Sequence, residues 1–116
     1  MKKKCLIVDD DLIARKSLER LCHKMPHLQV IGACADGHEA LSMLENQQFD
    51  IVFLDLDLPG IDGKQLLKHL PPSQSQHVVL VTSKVERLNG AAARAAAVLT
   101  KPVSHEQFKK VIGQLL

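Results

Sequence analysis

The sequence predicts an α/β protein in which a doubly wound, five-stranded parallel sheet carries helices on both faces. Three observations lead there. Short apolar runs alternate with amphipathic segments of helical period along the whole chain. The runs are near-continuous rather than alternating, Cys5-Leu6-Ile7-Val8 and Ile51-Val52-Phe53-Leu54 above all, which is the pattern of strands buried on both faces. They also stop on polar side chains, as strands do when their carboxyl ends gather at a ligand-binding edge. At 116 residues the chain has room for one domain, 1–116, with a two-layer or three-layer core.

The first run, Cys5 to Val8, ends on Asp9-Asp10-Asp11. Ala14, Leu18, Leu21, Cys22 and Met25 then recur at helical spacing up to Pro26, which predicts a crossover helix with Asp11 as its N-cap. Gln29 to Cys34 reads as the second strand, and Asp36-Gly37 as a turn and N-cap before a short helix turning Ala40, Leu41 and Leu44 inward. The third strand lies in Asp50–Gly63, DIVFLDLDLPGIDG: an apolar run ends on Asp55, Asp57 follows, and Leu58-Pro59-Gly60 forces a turn. Leu66, Leu67 and Leu70 mark a helix stopped by Pro71-Pro72.

His77 to Thr82 is the fourth strand. Between Ser83 and Ala96 a short, weakly anchored helix is expected over parts of Val85–Leu88 and of the AAARAAA run. Val98-Leu99-Thr100 makes a brief fifth strand, followed by Lys101-Pro102. Ser104 and Gln107 have the spacing of a capping box, and Phe108, Val111, Ile112, Leu115 and Leu116 form the inner stripe of the last helix. Right-handed crossovers and the flavodoxin-like strand order 2-1-3-4-5 complete the expected fold.

Composition narrows the function. Aromatic residues are only 3% of the chain, with no Trp or Tyr, so base stacking lacks its usual side chains. A net charge of +2 is too small for a nucleic-acid footprint, and Lys2-Lys3-Lys4 reads as a solubilising end. Cys5, Cys22 and Cys34 lack CxxC spacing and fit buried thiols of a reducing cytosol. No apolar run approaches membrane-spanning length, so the expected location is cytoplasmic.

In a parallel sheet all carboxyl ends share one edge, so Asp9, Asp10, Asp55, Thr82 and Lys101 become neighbours. Carboxylates ~4 Å apart at an effective dielectric of about 20 repel by roughly 4 kcal/mol per pair, so positive charge must be near. Lys101 supplies one charge, and a hard divalent cation, Mg²⁺ in first place, suits the oxygen ligands. A metal, a lysine and a hydroxyl around one carboxylate suit stabilisation of a phosphoryl group upon it.

The segments VDDD, DLDLPGIDG, VTS and LTKP, each at a strand end and in this order, resemble the receiver domains of two-component response regulators over essentially the whole chain. IARKSLERL, LKHLPP and KPVSHEQF look most like receivers of the LytTR type. The resemblance implies that Asp55 accepts a phosphoryl group from a sensor histidine kinase or phosphotransfer protein. It makes Asp10 and Asp55 ligands of Mg²⁺, with the backbone carbonyl of Asp57, and Asp9 an indirect partner. Lys101 would contact a phosphoryl oxygen, Thr82 would turn inward to bond it, and the Lys101–Pro102 bond would be cis. A homodimer is compatible with the small-residue AAARAAA run; direct contact with nucleic acid or membrane is not expected.

Three positions depart from the family pattern. Val98 stands where an aromatic is customary, Ser83 replaces a small residue after Thr82, and the Thr82–Lys101 interval is short, which implies a trimmed fourth helix. Two other readings stay open. FLDLD resembles the nucleophile motif of haloacid-dehalogenase phosphohydrolases, with Asp57 as acid and base, although there that strand comes first in the chain. A binding module that is never phosphorylated is kept open by Val98. Asp57 and Lys84, two residues beyond Asp55 and Thr82, are placed to cover the mouth of the site.

Overall fold

In the computed structural model the described residues are 2–56, 58, 63–70, 76–84, 88 and 90–116, with only the backbone of 69, 92 and 93. Strands β1 (Lys3–Val8), β2 (Leu28–Cys34), β3 (Ile51–Asp55), β4 (His77–Thr82) and β5 (Ala97–Thr100) form one sheet in the order β2-β1-β3-β4-β5, every pair parallel. Helices α1 (Leu12–His23), α2 (Gly37–Asn46), α3 (Gly63–His69) and α4 (His105–Leu115) cover it. This is the predicted doubly wound fold.

The apolar runs are continuous because each strand feeds two cores. Leu6 and Val8, Val52 and Leu54, Val78 and Leu80 face one side with Ala40, Leu66, Leu67 and Leu70 of α2, α3 and its end. Cys5 and Ile7, Ile51 and Phe53, Val79 and Val81 face the other with Leu18, Leu21 and Cys22 of α1 and Phe108 and Ile112 of α4. Period-two alternation thus sorts an unbroken apolar run onto two layers. Each such aliphatic side chain contributes about 1.5–3 kcal/mol of burial, so β3, buried over all five residues, is the best-anchored strand. The Phe53 and Phe108 rings stack with centroids 5.5 Å apart and tie α4 to β3. Cys5, Cys22 and Cys34 are free, buried thiols; burial above all lifts Cys34, to about 12.

The expected caps are present. Asp11 accepts from the Ile13 N–H at 3.0 Å, and Asp36 from the Glu39 N–H at 2.8 Å. One expectation needs correction, and another is only partly covered by the described residues. Ser104 accepts from the Gln107 N–H at 3.0 Å, but the Gln107 side chain turns to Thr100 instead of completing the capping box. Between β4 and β5 the described element is a single 3-10 turn, Ala91–Arg94, despite the helix propensity of alanine; residues 85–87 and 89 lie outside the described set. Gly90, at φ 86°, takes the left-handed conformation just before that turn, and β5 begins at Ala97, so little chain is left for a longer helix.

Candidate functional site

Four strands deliver polar groups to one edge. Three consecutive acids after β1 have separate tasks. Asp9 is fully buried, and its Oδ1 accepts from the Asp11 N–H at 2.9 Å. Its carbonyl accepts from Arg15 Nη1 at 2.8 Å, and its N–H donates to the Cys34 carbonyl at 3.0 Å. Asp10 is exposed to solvent, and Asp11 caps α1.

Asp55 ends β3 and is 6% exposed, which leaves its carboxylate shielded yet reachable from the edge. Behind it α3 presses on the strand: the Gly63 N–H donates to the Leu56 carbonyl at 2.9 Å, and a Cβ at Gly63 would collide with the Asp55 carbonyl oxygen and Leu56 Cα. Glycine is needed there for close approach. Thr82, buried at the end of β4, accepts at Oγ1 from the Lys84 N–H at 3.0 Å and keeps its hydroxyl proton to donate.

Lys101 joins the halves. Its Nζ lies 2.7 Å from Asp9 Oδ2 and donates to Asp55 Oδ2 at 3.2 Å. Burial pulls the ammonium down, but contact with Asp9 and the charges of Asp55 and Asp9 outweigh it, so the group is held above the ordinary lysine range. The Lys101–Pro102 bond is cis, as expected.

One carboxylate oxygen each from Asp9, Asp10 and Asp55 lie within 4.8 Å of one another. Asp9 Oδ2, fully enclosed, accepts no aligned hydrogen bond among the described residues and meets Lys101 only as an ion pair. An acidic cluster with such an oxygen fits a hard cation taking oxygen ligands. Asp57 lies outside the described residues, so its expected carbonyl ligand has no place in this geometry. Ser83 and Lys84 are exposed, and Val98 is half-buried in β5 opposite Leu80.

Sequence reasoning brought Asp9, Asp10, Asp55, Thr82 and Lys101 to one edge, and so does the structure. It missed Arg15 and Gln107. Arg15 could have been found as a basic residue one helical turn from the acids; Gln107 carried no signal beyond its cap spacing.

Asp9 and Asp55 flank the β1/β3 boundary, where the strand order reverses, so fold and site define a doubly wound domain with its ligand edge at the topological switch point. The model of the response regulator receiver domain matches residues 5–113, and the chain belongs to that family. Among its relatives, an uncharacterized response regulatory protein of Vibrio cholerae is 34% identical over 112 residues, 96% of this chain and 47% of the relative. The transcriptional regulatory protein BtsR of Salmonella typhi is 29% identical over 113 residues, 97% of this chain and 47% of the relative. The chain therefore spans about half the length of these curated relatives.

Solved structures show the same fold. The chemotaxis response regulator CheY4 of Vibrio cholerae superimposes with a TM-score of 0.84 at 24% identity, covering 100% of both chains. The response regulatory domain of mrkE from Klebsiella pneumoniae gives 0.85 at 24% identity, covering 97% of this chain and 93% of that one. The family match turns the reading away from a dehalogenase-type phosphohydrolase. Among the described residues no helix is long and apolar enough to cross a membrane.

Proposed function

We propose that Asp55 accepts a phosphoryl group from the phosphohistidine of a sensor histidine kinase or phosphotransfer protein, and that the domain signals through the change this makes at its edge. The observation that carries the reading is the Asp55 carboxylate at the end of β3, bonded to Lys101 and grouped with the Asp9 and Asp10 oxygens. An Asp55 oxygen forms the new P–O bond as the donor's P–N bond breaks, and the imidazole leaves with that electron pair. Asp10 and Asp55, with the backbone carbonyl of Asp57, would hold Mg²⁺, and Asp9 would support it indirectly. Bound there, Mg²⁺ would offset the charge on the phosphoryl oxygens. Lys101 would exchange part of its contact with Asp55 for a phosphoryl oxygen, and the Thr82 hydroxyl would donate to another. Lys84, whose N–H rests on that hydroxyl, is then the first backbone to feel the move.

Residues 1–116 read as one receiver domain of the LytTR type, cytoplasmic, without nucleic-acid or membrane contacts of its own and able to pair as a homodimer. BtsR, a transcriptional regulator matched over under half its length, supports an output carried elsewhere. Incubation with Mg²⁺ and phosphoramidate, followed by intact-mass spectrometry, tests the reading. The wild-type chain is expected to gain one phosphoryl group and Asp55→Asn none, with the fold unchanged. An adduct of normal yield on Asp55→Asn sinks the assignment; repeated turnover of the donor points to a phosphohydrolase, and no reaction at all to a binding module.

A further inference from the structure

We infer that Gln107 is the positioning residue of Lys101: its amide closes the free edge of β5 at Thr100 and so fixes the backbone from which the lysine reaches Asp9 and Asp55. The inference rests on the proposed role of Lys101 in phosphoryl transfer.

Strand β5 is four residues long and, among the described residues, pairs only with β4. The Lys101 ammonium sits at the end of a flexible stem, so its contacts at 2.7 and 3.2 Å require a fixed Cα. From the sheet side, the Lys101 N–H donates to the Thr82 carbonyl at 2.9 Å. Thr100, one residue earlier, turns its peptide groups the other way, to the edge where no strand follows. Gln107 meets both of them. Its Oε1 accepts from the Thr100 N–H at 2.8 Å and lies 3.3 Å from the Thr100 hydroxyl, while its Nε2 donates to the Thr100 carbonyl at 3.2 Å. A primary amide offers donor and acceptor side by side and so copies the peptide of a missing sixth strand.

The clasp is itself held in place. The Gln107 N–H is bound by Ser104 Oγ, and Phe108, the next residue, is stacked on Phe53 of β3. The contacts close a loop: Phe53 holds α4, α4 holds Gln107, Gln107 holds Thr100, and Lys101 returns to Asp55, two residues from Phe53 on the same strand. The lysine is thereby referenced to the strand that carries the carboxylate it serves. A cap that merely blocked edge-to-edge association would need no such return path.

The experiment compares Gln107→Leu and Gln107→Glu in the wild-type and Lys101→Met backgrounds. It reads the initial phosphorylation rate with phosphoramidate at saturating Mg²⁺ and the exchange rate of the Thr100 amide. Gln107→Leu is expected to slow phosphorylation about fivefold to tenfold, as misplacement of an aligned group does, and to speed Thr100 exchange. Gln107→Glu keeps the acceptor for the Thr100 N–H but sets a carboxylate against the carbonyl, so it falls between; it also carries the comparison if Gln107→Leu does not fold. On the residual rate of Lys101→Met neither change has a further effect, because the group they position is gone. Equal slowing in both backgrounds, or an unslowed rate in the wild-type background, overturns the inference. So does unchanged Thr100 exchange in Gln107→Leu, whatever the chemistry. A wild-type chain that takes no phosphoryl group overturns the proposed function instead, and leaves the exchange result to judge the clasp.

Discussion

The two halves of the site edge are built differently. Asp55 comes from β3, which pairs on both sides and is buried throughout, whereas Lys101 follows β5, which pairs on one side and is half-exposed. On the acid half the peptide ladder and two cores fix the ends of β1 and β3, with Gly63 behind Asp55 and the local bonds of Asp11 and Arg15 to Asp9. On the lysine half the sheet supplies too little, and the Gln107 side chain of α4 makes up the difference. The proposed acceptor is therefore part of the fold, while its counter-charge is adjustable. Substitutions at the acid half should alter chemistry with little tuning, and those at the lysine half should grade it.

The largest effect on stability is expected where the halves meet. Lys101→Met leaves Asp9 and Asp55, whose side chains are 1% and 8% exposed, without their shared cation. Removing one partner from such a buried pair costs about 3 kcal/mol, to be read as a lower urea midpoint, part of which Mg²⁺ restores. The pH dependence has a definite sign. Because the folded state holds the ammonium above its ordinary value, the contribution is complete below about pH 10.4, the unfolded value, and is lost as pH rises through the folded one. The stability gap between wild type and Lys101→Met should thus be constant through neutral pH and shrink only in strong alkali. A gap that closes near pH 8 would contradict the ion-pair account.

The same contrast explains what was legible in the sequence. Asp9, Asp55, Thr82 and Lys101 could be brought together because strand ends in a parallel sheet share an edge, a consequence of backbone topology that an apolar run announces. Asp11 and Asp36 were readable as caps because a cap is satisfied within three residues. Gln107 was not, since its spacing from Ser104 fits a capping box and only the open edge of β5 diverts its amide to Thr100. Arg15 was half legible, as a basic residue one helical turn from the acids, but its reach to the Asp9 carbonyl depends on how α1 leaves the sheet. The alanines before β5 have helix propensity, but the chain between Gly90 and Ala97 is too short to express more than a 3-10 turn.

A smaller effect sharpens the acid half. Mg²⁺ at ten times its dissociation constant should stabilise the wild type by about 1.4 kcal/mol through mass action. Asp10 is exposed, so Asp10→Ala should leave the metal-free melting temperature nearly unchanged while removing most of the Mg²⁺ shift. A wild-type melting curve unmoved by millimolar Mg²⁺, or a full shift retained in Asp10→Ala, would deny Asp10 its place as a ligand.

The smallest effect concerns the lifetime of the phosphoryl group. Lys84 is exposed and its N–H sits on Thr82 Oγ1, so its side chain starts from the rim of the site. Asp57, two residues after Asp55, is the opposite charge expected to meet it from the neighbouring loop. An exposed pair contributes only ~0.2–1 kcal/mol, too little to matter for folding. Over an acyl phosphate the same pair would hinder the in-line approach of water, and the effect is then kinetic, at most about fivefold in the hydrolysis rate for that energy range. Lys84→Ala and Asp57→Ala should each speed dephosphorylation after the donor is removed, and the double variant should add little, because either change alone opens the cover. Strictly additive rates would mean that the two charges act separately, and the lysine half would then control arrival of the phosphoryl group without controlling its loss.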